Sequence, residues 1–161
     1  MHHMPKEPHI EVIARGLFIH ENRVLLCRNN KHGYHYLPGG HVEFTERATE
    51  SLQRELIEEC SLESQIGPLL LTSEHVFRTK KKIHHEINMV FHVEHIGPPN
   101  ELQTEVVSNE PGIGFDWVDL AAITEIDLRP IEIQAWLASD GGVSPETGPM
   151  LTGIEEGTQQ A

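Results

Sequence analysis

The chain has 161 residues, of which 38% are hydrophobic, and carries a formal charge of −13 at pH 7. That length suits one ordinary domain with its own core, and no apolar run approaches the roughly 18 residues of a membrane-spanning helix. The acidic balance argues against electrostatic capture of nucleic acid, which takes a basic stripe, so a phosphate-bearing ligand would need a metal ion or a local basic patch to meet it.

The opening stretch "MHHMPKEPHI" lacks the apolar segment of a signal peptide. Residues 1–9 read as a flexible N-terminus, 10–138 as the folded domain and 139–161 as a loosely ordered tail rich in Gly, Pro, Thr and Gln. "IEVIARGLFI" (10–19) and "RVLLCR" (23–28) are aliphatic and β-branched, with a short hairpin turn between them. "NNKHGY" follows as a loop. In "YLPGGHVEF", Pro38, Gly39 and Gly40 stop any regular strand or helix from running through.

From Thr45, read as the N-cap, to about Cys60 the pattern is helical, with Ala48, Leu52, Leu56 and Cys60 as one buried stripe. Strands are expected at 69–77 and 83–94 around a "RTKKK" hairpin tip, the second with one apolar and one mostly polar face. A polar loop leads to a last strand, "IGFDWV", and Pro130 opens the closing helix "PIEIQAWLA". The order predicts an α/β sandwich, a mixed sheet between helices. Cys27 and Cys60 stand alone, without a CxxC pair, which fits a reducing, cytoplasmic setting.

The chemistry concentrates in "RELIEE". On a helix, Glu55 and Glu59 lie one above the other with Glu58 one step round, in a sector beside the buried stripe rather than opposite it. Carboxylates about 5 Å apart repel by roughly 3 kcal/mol at an effective dielectric of 20. Partly buried, such groups protonate, pair or bind a cation; fully exposed, they are an ordinary solvated face. Three hard oxygen ligands suit Mg²⁺, with Mn²⁺ as a substitute. Gly39 and Gly40 allow close backbone approach just before this helix, where a carbonyl can complete a metal site. The histidines at 84, 85, 92 and 95 lack the i, i+4 helical spacing of zinc enzymes.

Gly40–Leu62, "GHVEFTERATESLQRELIEECSL", resembles the Nudix box, G-x5-E-x7-R-E-U-x-E-E-x-G-U with U aliphatic. Gly40, Glu46, Arg54, Glu55, Leu56, Glu58, Glu59 and Leu62 match their positions, while Ser61 replaces the second glycine. A serine in the left-handed cap that glycine usually takes costs about 1 kcal/mol.

The resemblance implies hydrolysis of a nucleoside diphosphate linked to another moiety, with Mg²⁺ neutralising the diphosphate and activating water. Glu55 and Glu59 become the main metal ligands and Glu58 shares a further ion. Arg54 and Glu46 brace them. The general base is a box glutamate such as Glu58 or a loop glutamate, with Glu110 preferred to Glu101 and Glu105. Arg28 and Glu86 are the substrate-contact candidates, with "RTKKK" an exposed tip and Phe77, Trp117 and Trp136 core residues. The rival reading is a nucleotide or nucleotide-sugar sensor on the same scaffold, without turnover. The expected partner is a small molecule rather than a membrane or nucleic acid, and a homodimer is compatible with the family.

Overall fold

Strand β1 (Glu11–Leu17) opens on a glutamate and carries an arginine in its apolar run, yet lies inside its sheet between two other strands. In the computed structural model, which describes residues 7–102, 105–140 and 150–160, a short β2 (Ile19–His20) forms a hairpin with β3 (Arg23–Asn29), whereas β1, expected to run on into that hairpin, lies in a different sheet. "YLPGGHVEF" does not stay irregular. It splits at Pro38 into β4 (His35–Tyr36), paired with β3, and β5 (Gly39–His41), paired with β1. Proline lacks the amide to continue a ladder, so the chain changes sheets there.

The helix α1 (Ala48–Cys60) begins later than the sequence suggests. Arg47, not Thr45, is the N-cap, and Thr45 has φ +72°. The Glu50 carboxylate accepts the Arg47 N–H at 3.2 Å, half of a capping box that the Thr45 reading overlooked. Strand β6 (Ser64–Thr79) starts five residues before the expected 69–77 segment, with register shifts on either side of Leu69. It pairs antiparallel with β7 (Ile83–His95) across the "RTKKK" turn. After β8 (Ile113–Asp119) a 3-10 turn, Leu120–Glu125, leads to α2 (Ile131–Asp140). The tail expected to be loosely ordered contributes β9 (Met150–Gln160), parallel to β6, while residues 141–149 fall outside the described residues.

Among the described residues the strands form a mixed sheet ordered β5-β1-β7-β6-β9 and an antiparallel sheet of β2, β3, β4 and β8. Two apolar clusters hold them. Under α1, Leu52, Leu56 and Cys60 meet Ala14, Phe91, Val93, Leu25, Cys27 and Phe115. Under α2, Ile133, Trp136 and Leu137 meet Leu17, Val90, Leu71, Leu26 and Leu128. Each fully buried leucine contributes about 2 kcal/mol. The alternate face of β7, expected to be mostly polar, is therefore partly covered too, while His92 and Glu94 stay exposed. Val90 and Asn88 are buried because α2 and its approach lie over them. Both cysteines are free and buried, and burial pushes the Cys60 thiol up to about 12.

Candidate active site

The acids of α1 are organised by one guanidinium. Arg54 donates from Nε and Nη2 to the two oxygens of Glu46, at 2.8 and 3.1 Å. Its Nη1 reaches Glu55 Oε1 at 3.0 Å and Glu58 Oε2 at 3.2 Å. Glu46 reaches this position from the turn before α1, where its backbone N–H bonds the Glu43 carbonyl. The fork pairs bidentately with Glu46, which holds that carboxyl below the usual carboxylate range. The same charge offsets crowding among the remaining acids.

Strand β5 brings the glycine turn under α1, tied by Ser51 Oγ donating to the His41 carbonyl at 3.1 Å. Gly39 has φ +136°, and a side chain there would run into the Ala14 carbonyl. Its backbone N–H favours the ionised form of Glu59. A Cβ on Gly40 would come within 2.6 Å of Glu55 Oε1, so only glycine lets that carboxylate lie against the backbone. Glu55, Glu59, Gly39 and Gly40 therefore converge, with Arg54 and Glu46 behind them. Glu58, at 54% exposure, lies at the rim.

Glu59 is 7% exposed, and its Oε2 has no hydrogen-bond partner among the described residues. Burial, then repulsion from Glu55 and Glu110, pushes its carboxyl up to about 7, against the pull of Arg15 and the Gly39 N–H. An orphaned buried oxygen beside a second carboxylate fits a bound hard cation, which would satisfy it and favour the ionised form.

Glu110 reaches this group through its neighbour. Asn109 donates its backbone N–H to the Glu59 carbonyl at 2.7 Å, and its Nδ2 to the Glu58 carbonyl at 3.2 Å and to Ser61 Oγ at 2.8 Å. Ser61 takes the left-handed conformation of the glycine it replaces, φ 57° and ψ 23°, with its N–H closing onto the Ile57 carbonyl. Glu101 instead faces His95 at 3.2 Å.

Beside the acids lies a cavity of about 160 Å³, lined by Arg15, Tyr34, Tyr36, Phe77, Glu86 and Asn88 among others. Arg15 donates to Asn88 Oδ1 and to the Leu37 carbonyl, both at 3.1 Å, and its guanidinium sits 5.4 Å from the Tyr36 ring centroid. Its charge also acts on Glu59, so it links cavity and acids. Arg15 was missed in the sequence, though a charge in the middle of "EVIARGL" was a usable signal. Asn109 gave none. Glu86 lines the cavity, and Phe77 does too, rather than joining the core. Arg28 is not delivered to this group: its Nη1 is held by both oxygens of Asp116, which also meets His35 Nε2 at 2.8 Å.

The NUDIX domain model matches residues 9–137. Solved structures of similar fold include the MutT protein from Methanosarcina mazei Go1, at 22% identity and TM-score 0.64 over 82% of this chain and 93% of that one. A MutT protein from Bacillus halodurans is 19% identical, TM-score 0.63, over 89% and 88% of the two chains. An ADP-ribose pyrophosphatase from Streptococcus suis 89-1591 is 16% identical, TM-score 0.61, over 89% and 98%. With the family match covering most of the chain and the box acids gathered against the glycine turn, the protein belongs to the Nudix hydrolase family.

Proposed function

We propose that this Nudix hydrolase is Mg²⁺-dependent and cleaves a diphosphate bond in a nucleoside diphosphate linked to another moiety. The observation that carries the reading is the Glu55–Glu59 pair against Gly39 and Gly40, with one buried oxygen of Glu59 lacking a partner. Glu55 and Glu59 would hold the ion, with a carbonyl of the glycine turn as a further ligand and Glu58 contributing from the exposed rim. When bound, Mg²⁺ neutralises the diphosphate and acidifies the attacking water. Arg54 keeps Glu55 and Glu58 oriented, and Glu46 fixes Arg54 from behind. Glu110, held near Glu59 by Asn109, is the loop group placed to accept the proton of that water. The cavity takes the nucleoside end, with aromatic rings for its faces and Arg15, Glu86 and Asn88 for its polar edge. The MutT and ADP-ribose pyrophosphatase neighbours support the substrate class. No helix among the described residues is long and apolar enough to cross a membrane.

The test is a panel of nucleoside triphosphates, nucleotide sugars, dinucleoside polyphosphates, NADH and coenzyme A, assayed for cleavage of the phosphate–phosphate bond with Mg²⁺ and with a chelator. Turnover of at least one diphosphate with Mg²⁺, abolished by chelation and by Glu59→Gln in a cooperatively folded variant, is the expected result. Wild-type rates in Glu59→Gln remove the assignment. Tight nucleotide binding with no product after prolonged incubation favours the sensor reading.

A further inference from the structure

Away from the acids of α1, three side chains with metal-binding atoms meet across the β1–β7 pair. The donor atoms of Glu11, His84 and Glu86 all lie within 4.8 Å of one another. The register brings them together: Glu11 and Glu86 are direct partners in the parallel ladder, and His84 precedes Glu86 by two residues on the same face. Opposed carboxylates repel, and the Glu11 side chain is only 11% exposed.

Part of the compensation is visible. His84 Nδ1 lies 3.1 Å from Glu11 Oε2, and Lys82 Nζ and His41 Nε2 each lie 3.4 Å from Glu11 Oε1. Burial raises the Glu11 carboxyl, but His84 and Lys82 more than offset this, so it stays below its usual range and ionised. Glu86 has a long bond from the Asn88 amide, 3.4 Å, and no paired cation among the described residues. The His84 ring is fixed by stacking on Phe77, with centroids 4.7 Å apart and planes within 3°. All three candidate ligands stand on strands, which hold a constellation more rigidly than loops.

We propose that Glu11, His84 and Glu86 form a second cation site, taking a divalent transition ion of the Zn²⁺, Co²⁺ or Mn²⁺ type. One imidazole with two carboxylates suits such ions better than Mg²⁺, which prefers an all-oxygen shell. Lys82, at the hairpin tip and 51% exposed, is the competing cation, and an exposed ion pair of this kind is readily displaced. The position gives the ion a consequence. Glu86 lines the cavity and Glu11 a neighbouring groove of about 560 Å³, so the ion adds positive charge where the two meet.

The experiment silences the α1 acids with Glu55→Gln and Glu59→Gln, so that its outcome is independent of the hydrolase reading. The full chain is titrated with Co²⁺, followed by visible absorption and calorimetry. A binding step that resists excess Mg²⁺ is expected to remain, weakened at least about tenfold by Glu11→Gln and by His84→Ala. Lys82→Ala is expected to strengthen it, a change of sign that damage to the fold does not produce. The proposal is overturned if no Co²⁺ step remains, if the step ignores all three substitutions, or if replacing His2 and His3 with alanine abolishes it.

Discussion

Glu59 joins the fold to the chemistry at the scale of one residue. Its carboxyl is raised from 4.5 to about 7 because burial and the neighbouring acids favour the neutral form. For a carboxyl raised on folding, the associated stability is fully present below the unfolded value and is lost as pH rises through the folded one. Without metal, the protein is therefore expected to lose roughly 3 kcal/mol from this group as pH climbs from about 4.5 to above 7. Thermal unfolding in chelator at about pH 5 and pH 8 checks this, since Glu59→Gln should flatten the change and Mg²⁺ should recover stability at the higher pH. A melting temperature equally pH-dependent in wild type and Glu59→Gln would contradict the assignment. Gly40 allows a second test. Alanine there presses on the Glu55 carboxylate and is expected to raise the Mg²⁺ concentration for half-activation at least about tenfold, read by metal titration of the rate.

At the scale of the element, the departure of Ser61 from the box pattern and the placement of the Glu110 loop are one feature. Ser61 bears the strain of a left-handed cap, and its hydroxyl accepts a bond from Asn109, which also reaches the Glu58 and Glu59 carbonyls. Ser61→Gly exchanges strain relief of about 1 kcal/mol for a lost hydrogen bond of similar size and is expected to be nearly neutral. Ser61→Ala keeps the strain and loses the bond, destabilising by about 1 kcal/mol in urea unfolding. Asn109→Ala frees the loop, so kcat is expected to fall about tenfold with KM nearly unchanged, and the loss should not add fully to that of Glu110→Gln. Full additivity would separate Asn109 from Glu110.

Across the whole molecule, the described residues of both apolar clusters lie between Ala14 and Leu137. A chain ending at Asp140 is expected to unfold cooperatively and to retain diphosphatase activity. Circular dichroism melts and the substrate panel check this together. Loss of cooperative folding would show that the β9 pairing along β6 is needed by the domain.

The acidic helix was legible in sequence because its evidence is local. Leu52, Leu56 and Cys60 recur at helical spacing, and Arg54, Glu55, Glu58 and Glu59 hold fixed places relative to them. The start of that helix was misread because Thr45 is a good N-cap by type, whereas the bond from the Arg47 N–H to Glu50 settles the boundary. The cavity was less legible. Arg15, Tyr34, Glu86 and Asn88 come from separate segments, and which face of β7 is covered follows from α2 packing over it. Likewise, only the register of β1 on β7 sets Glu11 opposite Glu86, and only the pairing of β3 with β8 assigns Arg28 to Asp116. The sequence by itself determined the family, the spacing of the acids on the helix and the main helical stripe, since these depend on neighbours along the chain. Tertiary structure decided the burial of Glu59, the partners of Arg15 and Arg28 and the lining of the cavity, because contacts between distant strands follow from register and layer packing.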